Sequence, residues 1–199
     1  MEQPLLQVSQ RNDDFIVVGP FILTDNINDA GPFDSYNVGI VVSSDYPETA
    51  PSVYELGERI PHKVDRHMFN SSACCVTVFS AWKEQNSDHS FRKYLSGPIR
   101  DFFLSQSHFE ETDKWPFGEY EHGDIGIAQA CSEVFQMTLS PDDAKRYLKY
   151  AALDRPKGHL QCPCGSGLII RKCCGISKLE TVRSRCSKTS ALRLLRQLS

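Results

Sequence analysis

Apolar residues in the first quarter of the chain come in short runs separated by turn-forming residues. Residues 15–18 (Phe-Ile-Val-Val) and 21–23 (Phe-Ile-Leu) predict one strand interrupted at Gly19 and Pro20, and residues 36–42 (Tyr-Asn-Val-Gly-Ile-Val-Val) predict a second. The stretch between them, 24–33, is polar and carries the turn signal Gly31-Pro32. After a further punctuated stretch at 43–51, residues 52–55 predict a short third strand. The opening is therefore expected to be an antiparallel meander. Residues 61–73 lose all periodicity and bring His62, Arg66 and His67 close together, as in a long structured loop. A short apolar run follows at 74–79, with Trp82 just beyond it.

The period then changes. Phe91, Tyr94, Leu95, Ile99, Phe102 and Phe103 recur at steps of three and four. They predict a helix over 90–106, with Pro98 either opening a second segment or kinking the first. Ile125, Ile127, Ala128, Cys131 and Phe135 predict another helix over 124–137. Ser140-Pro141-Asp142-Asp143 supplies an N-cap, a proline at the first helical position and early acids, and the helix it starts carries Ala144, Tyr147, Leu148 and Ala151. A polar hinge containing Pro156 spans 154–158 and sets the expected domain boundary. Residues 179–199 are basic, with Arg183, Arg185, Lys188, Arg193 and Arg196 set against Glu180 alone, and Leu192, Leu194, Leu195 and Leu198 add an apolar component. This segment reads as an amphipathic helix docking on a partner or on the main domain, or as a solvated tail. Docking on a partner is placed first. There is no internal repeat.

Composition narrows the function classes. The chain has 199 residues, 40% hydrophobic and 24% charged, with a net charge of −3. That balance offers no global basic field, so nucleic acid is not expected as a partner. Met1-Glu2-Gln3-Pro4 lacks the basic and apolar regions of a signal peptide. No apolar run approaches the ~18 residues needed to span a bilayer. A cytoplasmic protein without membrane partners is expected. Four of the eight cysteines crowd into residues 162–174, which in a reducing compartment favours metal over disulfide.

That cluster reads Cys162-Pro163-Cys164-Gly165-Ser166-Gly167, then Cys173-Cys174-Gly175. Zinc takes four soft ligands in a tetrahedron, and the Gly-Ser-Gly turn lets the chain reverse so that the second pair completes a set begun by the first. Arg171 and Lys172 lie close enough in sequence to offset thiolate charge. Cys162, Cys164, Cys173 and Cys174 are the candidate ligands, with His159 competing with Cys174 for the fourth place. The bland alternative is a surface loop of free cysteines. The pattern resembles the SEC-C motif, which implies a zinc cofactor and an interaction platform, not a reaction.

The order of features before Trp82 carries a second resemblance. Two apolar strands lead to Asp45-Tyr46-Pro47, then to Ala50-Pro51-Ser52-Val53-Tyr54, a loop bearing His67, Cys75, and finally Trp82. Over residues 15–109 this resembles ubiquitin-conjugating enzymes, and in particular bacterial relatives in which an Arg-His pair stands in place of the His-Pro-Asn tripeptide. Here the loop runs Asp65-Arg66-His67-Met68-Phe69-Asn70-Ser71-Ser72-Ala73-Cys74-Cys75, with serine or alanine where the turn usually has glycine. The resemblance implies an α+β fold: a UBC-like antiparallel meander with flanking helices over 1–155, a zinc module at 156–178, and the basic segment 179–199. It also implies an acyl transferase of the anti-phage CBASS type. Such an enzyme forms a thioester on cysteine and ligates the C-terminus of a cyclic-oligonucleotide-synthesising nucleotidyltransferase, or of another protein, to amines on protein targets.

The roles that follow are Cys75 as nucleophile, His67 as loop organiser or proton carrier, and Asn70 as oxyanion donor. Adjacent strand residues face opposite sides, so only one of Cys74 and Cys75 can open onto a given cleft. Spacing from His67 and to Trp82 favours Cys75, while a wholly buried Cys74-Cys75-Val76 core run is the plain alternative. Trp82 reads as a packing residue. His122, with Trp115 and Glu119 upstream, either sets a second polar group over the cleft or belongs to the start of the next helix. The chain has no adenylation or nucleotide-binding loop, so activation of the acyl group comes from elsewhere. Two further readings stand beside the enzyme: a catalytically silent UBC-like module that recruits a partner through its zinc motif, and a secretion-linked adaptor suggested only by the SEC-C pattern.

Overall fold

The computed structural model describes residues 3–24, 31–116 and 120–198. It is an α+β protein whose sheet has four antiparallel strands in the order β1-β2-β3-β4, with β1 Gln7–Arg11, β2 Asp14–Thr24, β3 Pro32–Val42 and β4 Ser52–Glu55. The sequence predicts β2, β3 and β4. It gives no warning of β1, whose Gln-Val-Ser-Gln-Arg run is exposed throughout and has no buried alternate face to betray it. Gly19 sits inside β2 at φ +140, and a Cβ there would lie 2.5 Å from the Leu5 carbonyl oxygen, so the strand tolerates only glycine at this step.

By its contacts the chain divides into two compact units, residues 1–77 with 88–118, and residues 78–87 with 119–199. In the first, α2 Phe91–Tyr94 and α3 Arg100–Thr112 are joined by a π-helical turn, Leu95–Ile99, that contains Pro98. A proline has no N–H to give the helix ladder, and the wider turn absorbs that loss. The core of this unit sits between the sheet and α3. Phe21 and Tyr36 approach the Phe103 ring at 5.6 and 4.9 Å, and Leu23, Val38 and Ile40 are fully buried beside them. Each such side chain contributes roughly 1.5–3 kcal/mol by leaving water.

The second unit is helical: α1 Phe79–Gln85, α4 Asp124–Phe135, α5 Pro141–Ala151, α6 Ile176–Arg183 and α7 Lys188–Gln197. The capping box at Ser140 forms as the sequence predicts, with Asp143 answering the Ser140 side chain. Ala128, Cys131 and Phe135 of α4, Ala144 and Leu148 of α5, and Ala191 and Leu194 of α7 share one core. Residues 179–198 are thus built into this unit, their apolar face turned onto α5 and α1. Basic side chains of the same segment are engaged within the chain as well. Arg185 donates to the Phe135 carbonyl at 2.6 Å, Lys188 pairs with Asp154 at 2.5 Å, and Arg183 donates to the Leu153 carbonyl. The contact division therefore does not fall at the hinge 154–158. Helices before and after it share one core because the apolar face of α5 finds its partner in α7.

Candidate functional site

Among the described residues, two places gather candidate reactive side chains, one in each unit. The first is a hairpin-like extension of the sheet. Beyond β4 the chain makes a single 3₁₀ turn, Val64–Arg66, and His67 ends it in the left-handed region at φ 49, its N–H donating to the Val64 carbonyl at 2.8 Å. Met68 then pairs antiparallel with Cys74, and the Cys75 N–H donates to the His67 carbonyl at 2.8 Å. The returning limb lies along β4. Ala73 pairs with Tyr54, and the Cys74 N–H donates to the Val53 carbonyl at 2.8 Å.

This register separates the two thiols. Side chains directly across an antiparallel pair share a face, and neighbours along a strand do not. Cys74 takes the face of Val53 and Met68, which are 2% and 4% exposed, while Cys75 takes the other face and is exposed. Burial, with the charge of Glu55 adding to it, pushes the Cys74 thiol up to about 12. Although Cys75 reaches solvent, enough protein surrounds its sulfur for burial to push its thiol above the ordinary range too. Tyr94, buried in α2, lies near it: its phenol is held protonated chiefly by burial and further by charge on Tyr46 and Cys75.

The His67 corner is fastened to α3. Gln106 is fully buried, accepts from Arg66 Nε at 2.9 Å and donates to the Arg66 carbonyl at 2.9 Å. The Arg66 guanidinium lies 4.7 Å over the Phe109 ring, and the His67 ring meets Trp115 edge-on at 5.7 Å. A second clamp ties the neighbouring turn. Arg59 forms a bidentate pair with Asp34 at 2.7 and 2.9 Å and also binds Glu110 at 2.6 Å, and Ser107 donates to Asp34. Burial would raise the Asp34 carboxyl, but the Arg59 and Ser107 hydrogen bonds outweigh it and hold it low. Buried Glu55 organises the same loop by accepting from the N–H groups of Gly57 and Arg59 at 2.7 and 3.0 Å.

Cys75 and His67 are therefore brought together at one step of the hairpin. Asn70 is exposed in the turn at its tip. Trp82 stacks on Phe79 at 5.5 Å within α1, as a packing residue. His122 is exposed just before α4, whose N-cap, Gly123, makes no side-chain cap bond. Glu119 lies outside the described residues. Gln106 and Tyr94 carry no mark in the sequence beyond their helical period.

The second place is the cysteine cluster. A short hairpin is pinned by the Cys162 N–H on the Leu168 carbonyl at 2.8 Å and the Ile170 N–H on the Leu160 carbonyl at 2.9 Å. Gly165, Gly167 and Gly175 take φ of +77, +75 and +77, left-handed steps that side chains resist. The turns bring the Sγ atoms of Cys162, Cys164, Cys173 and Cys174 within 4.8 Å of one another, an arrangement that could hold a metal ion. Cys164 and Cys173 are 3.4 Å apart and Cys173 and Cys174 4.0 Å. A tetrahedral thiolate site with ~2.3 Å metal–sulfur bonds has edges of roughly 3.8 Å, so the donor set fits a single ion. His159 is not part of this group.

Helix α5 forms the inner wall. Tyr150, with Ile170 and Leu179, packs around the buried Cys162, and Tyr147 packs against the same cluster. Arg146 donates to the Pro163 carbonyl at 3.1 Å and pairs with Asp143, and a Cβ on Gly165 would lie 2.8 Å from its guanidinium. Hydrogen bonds from Ser166 draw the Cys164 thiol down to about 6, whereas burial and neighbouring sulfurs push Cys174 up to about 12. The sequence marks the four clustered cysteines by spacing. The aromatic and arginine wall from α5 has no sequence sign other than the three-residue step from Tyr147 to Tyr150.

No helix among the described residues is long and apolar enough to cross a membrane. Comparison with models of protein families, with curated proteins and with solved structures finds no match of any of the three kinds.

Proposed function

We propose that the chain is a UBC-like acyl transferase working through Cys75 and carrying a structural zinc ion on Cys162, Cys164, Cys173 and Cys174. The observation that supports this reading best is the hairpin register, which turns Cys75 to solvent at the same step as His67 and turns Cys74 inward. In the reaction, the Cys75 sulfur attacks the carbonyl carbon of an activated acyl donor. The new C–S bond forms as the bond to the donor's leaving thiol breaks, and that thiol takes up the proton released by Cys75. An amine of the target then attacks the same carbon and displaces the Cys75 thiolate. The amine's lost proton goes to the thiolate, directly or through His67. The donor arrives already activated, since the sequence offers no adenylation or nucleotide-binding loop that would activate it here.

The fit of a nucleotide cyclase as the conjugated partner, in anti-phage defence, rests on the resemblance of the Arg66-His67 to Cys75 loop to CBASS relatives. A Cys75→Ser variant, which forms a stable ester in place of a thioester, tests it. Produced alongside a CBASS cyclase and its activating enzyme, it is expected to accumulate a denaturation-resistant adduct with the cyclase that Cys75→Ala lacks. Equal adducts, or none, in both variants would count against the transferase.

One observation favours a second reading, a catalytically silent module. Among the described residues, burial is what shifts the Cys75 thiol, and it shifts it upward, away from the thiolate. In that case the chain recruits a partner through the zinc module, and Cys75→Ala leaves its biological activity unchanged.

A further inference from the structure

We infer that Ser166 is an outer hydrogen-bond donor to the metal site, holding the solvent-facing edge formed by Cys164 and Cys173. The inference rests on the metal-binding reading above and adds a residue outside the ligand set. The Ser166 hydroxyl donates to Cys173 Sγ at 3.2 Å, and that sulfur lies 3.4 Å from Cys164 Sγ. Its oxygen also accepts the Leu168 N–H at 3.3 Å, which occupies a lone pair and leaves the hydroxyl hydrogen for sulfur. The two left-handed glycines on either side, Gly165 and Gly167, fold Ser166 back over the sulfurs.

The need for such a donor follows from charge. Four thiolates on one divalent cation leave a net charge of about −2. On the inner side Cys162 is enclosed by Ile170, Leu179 and Tyr150, where apolar surface offers little relief. On the outer side Cys173 is exposed and its sulfur lies 3.4 Å from Cys164 Sγ. A hydroxyl placed there spreads charge off the sulfurs that solvent protons reach first. Outer-shell donors of this kind typically tune metal affinity by ~10–100-fold, and solvent access to Ser166 puts the expected effect at the lower end.

The test uses the full chain, wild type, Ser166→Ala and Ser166→Thr, with zinc in competition against a chromophoric chelator and with cobalt(II) as a spectroscopic substitute. Ser166→Ala is expected to bind zinc about tenfold more weakly and to shift the sulfur-to-cobalt charge-transfer band to lower energy, because an unbonded thiolate gives up its electron more readily. Ser166→Thr keeps the hydroxyl and should match the wild type in both measures. An alanine variant equal to wild type in affinity and band position overturns the inference. So does weaker binding with an unmoved band, since that marks a residue needed only for the turn. Failure of the wild-type chain to take up either ion overturns the metal reading itself, and the role of Ser166 falls with it.

Discussion

The Cys75 amide donates to the His67 carbonyl at 2.8 Å across a narrow antiparallel pairing, so the exposed thiol and the histidine that ends the preceding turn are locked at one level of the hairpin. The shared level of the two residues is a backbone property, while the distance between thiol and imidazole is set by their side-chain rotamers.

The two adjacent thiols should differ in reactivity and in their effect on stability. Iodoacetamide followed by peptide mapping is expected to modify Cys75 well before Cys74. Cys75→Ala should leave unfolding by urea nearly unchanged, whereas Cys74→Ala, which empties part of the face shared with Val53 and Met68, should cost about 1 kcal/mol. Faster labelling of Cys74 would reverse the assignment.

Removing the buried amide of Gln106 should unfasten the His67 corner. Gln106→Leu leaves the Arg66 carbonyl and Nε without the partner each has at 2.9 Å. The expected loss is about 2–3 kcal/mol, the cost of stranding buried polar groups, one of them charged. Urea unfolding measures it. Acyl transfer by the variant should also fall at temperatures where it remains folded.

Alkaline pH should destabilise the helical unit. Burial pushes the Cys131 and Cys186 thiols from 9.0 up to about 12. The folded chain then keeps protons that the unfolded chain releases, so this contribution is fully present below the unfolded value and is lost as pH rises from 9 toward 12. Each thiol adds up to ~1.4 kcal/mol per pH unit across that window. Unfolding midpoints at ~pH 8 and ~pH 10.5 should differ in that direction, and by less in Cys131→Ala.

Metal removal should loosen more than the knuckle. Cys162 shares a buried cluster with Tyr150 of α5 and Leu179 of α6, so the binding energy of an ion held by the four cysteines would be linked to helix packing. A chelator, or Cys162→Ser, is expected to lower the melting temperature. The shift should grow with the ratio of free metal to Kd, and Cys75→Ala should not reproduce it.

The sheet was legible because each inner strand has a buried alternate face: Phe21 and Leu23 on β2, Tyr36, Val38 and Ile40 on β3. β1 was not, since neither of its faces is covered. The cysteine cluster could be read from spacing, because bringing four sulfurs together on a short chain forces tight turns and their glycines. What holds those sites could not. Gln106 reaches Arg66 across forty positions and Arg146 reaches Pro163 across seventeen, and neither pairing leaves a local pattern. Of the readings open for the basic segment, docking within the chain is the one these contacts match: Asp154 and the backbone ends of α4 and α5 take several of its charges, pairings that leave no local pattern in the sequence.

Acceptance of an acyl group by Cys75 can be measured by incubating the zinc-supplemented chain with a short peptide carrying a C-terminal alkyl thioester and locating the transferred peptide by mass spectrometry under non-reducing conditions. A single adduct is expected on Cys75, released by hydroxylamine, absent from Cys75→Ala and retained in Cys74→Ala. An adduct that persists in Cys75→Ala, or a wild-type chain that takes up no peptide, would contradict it.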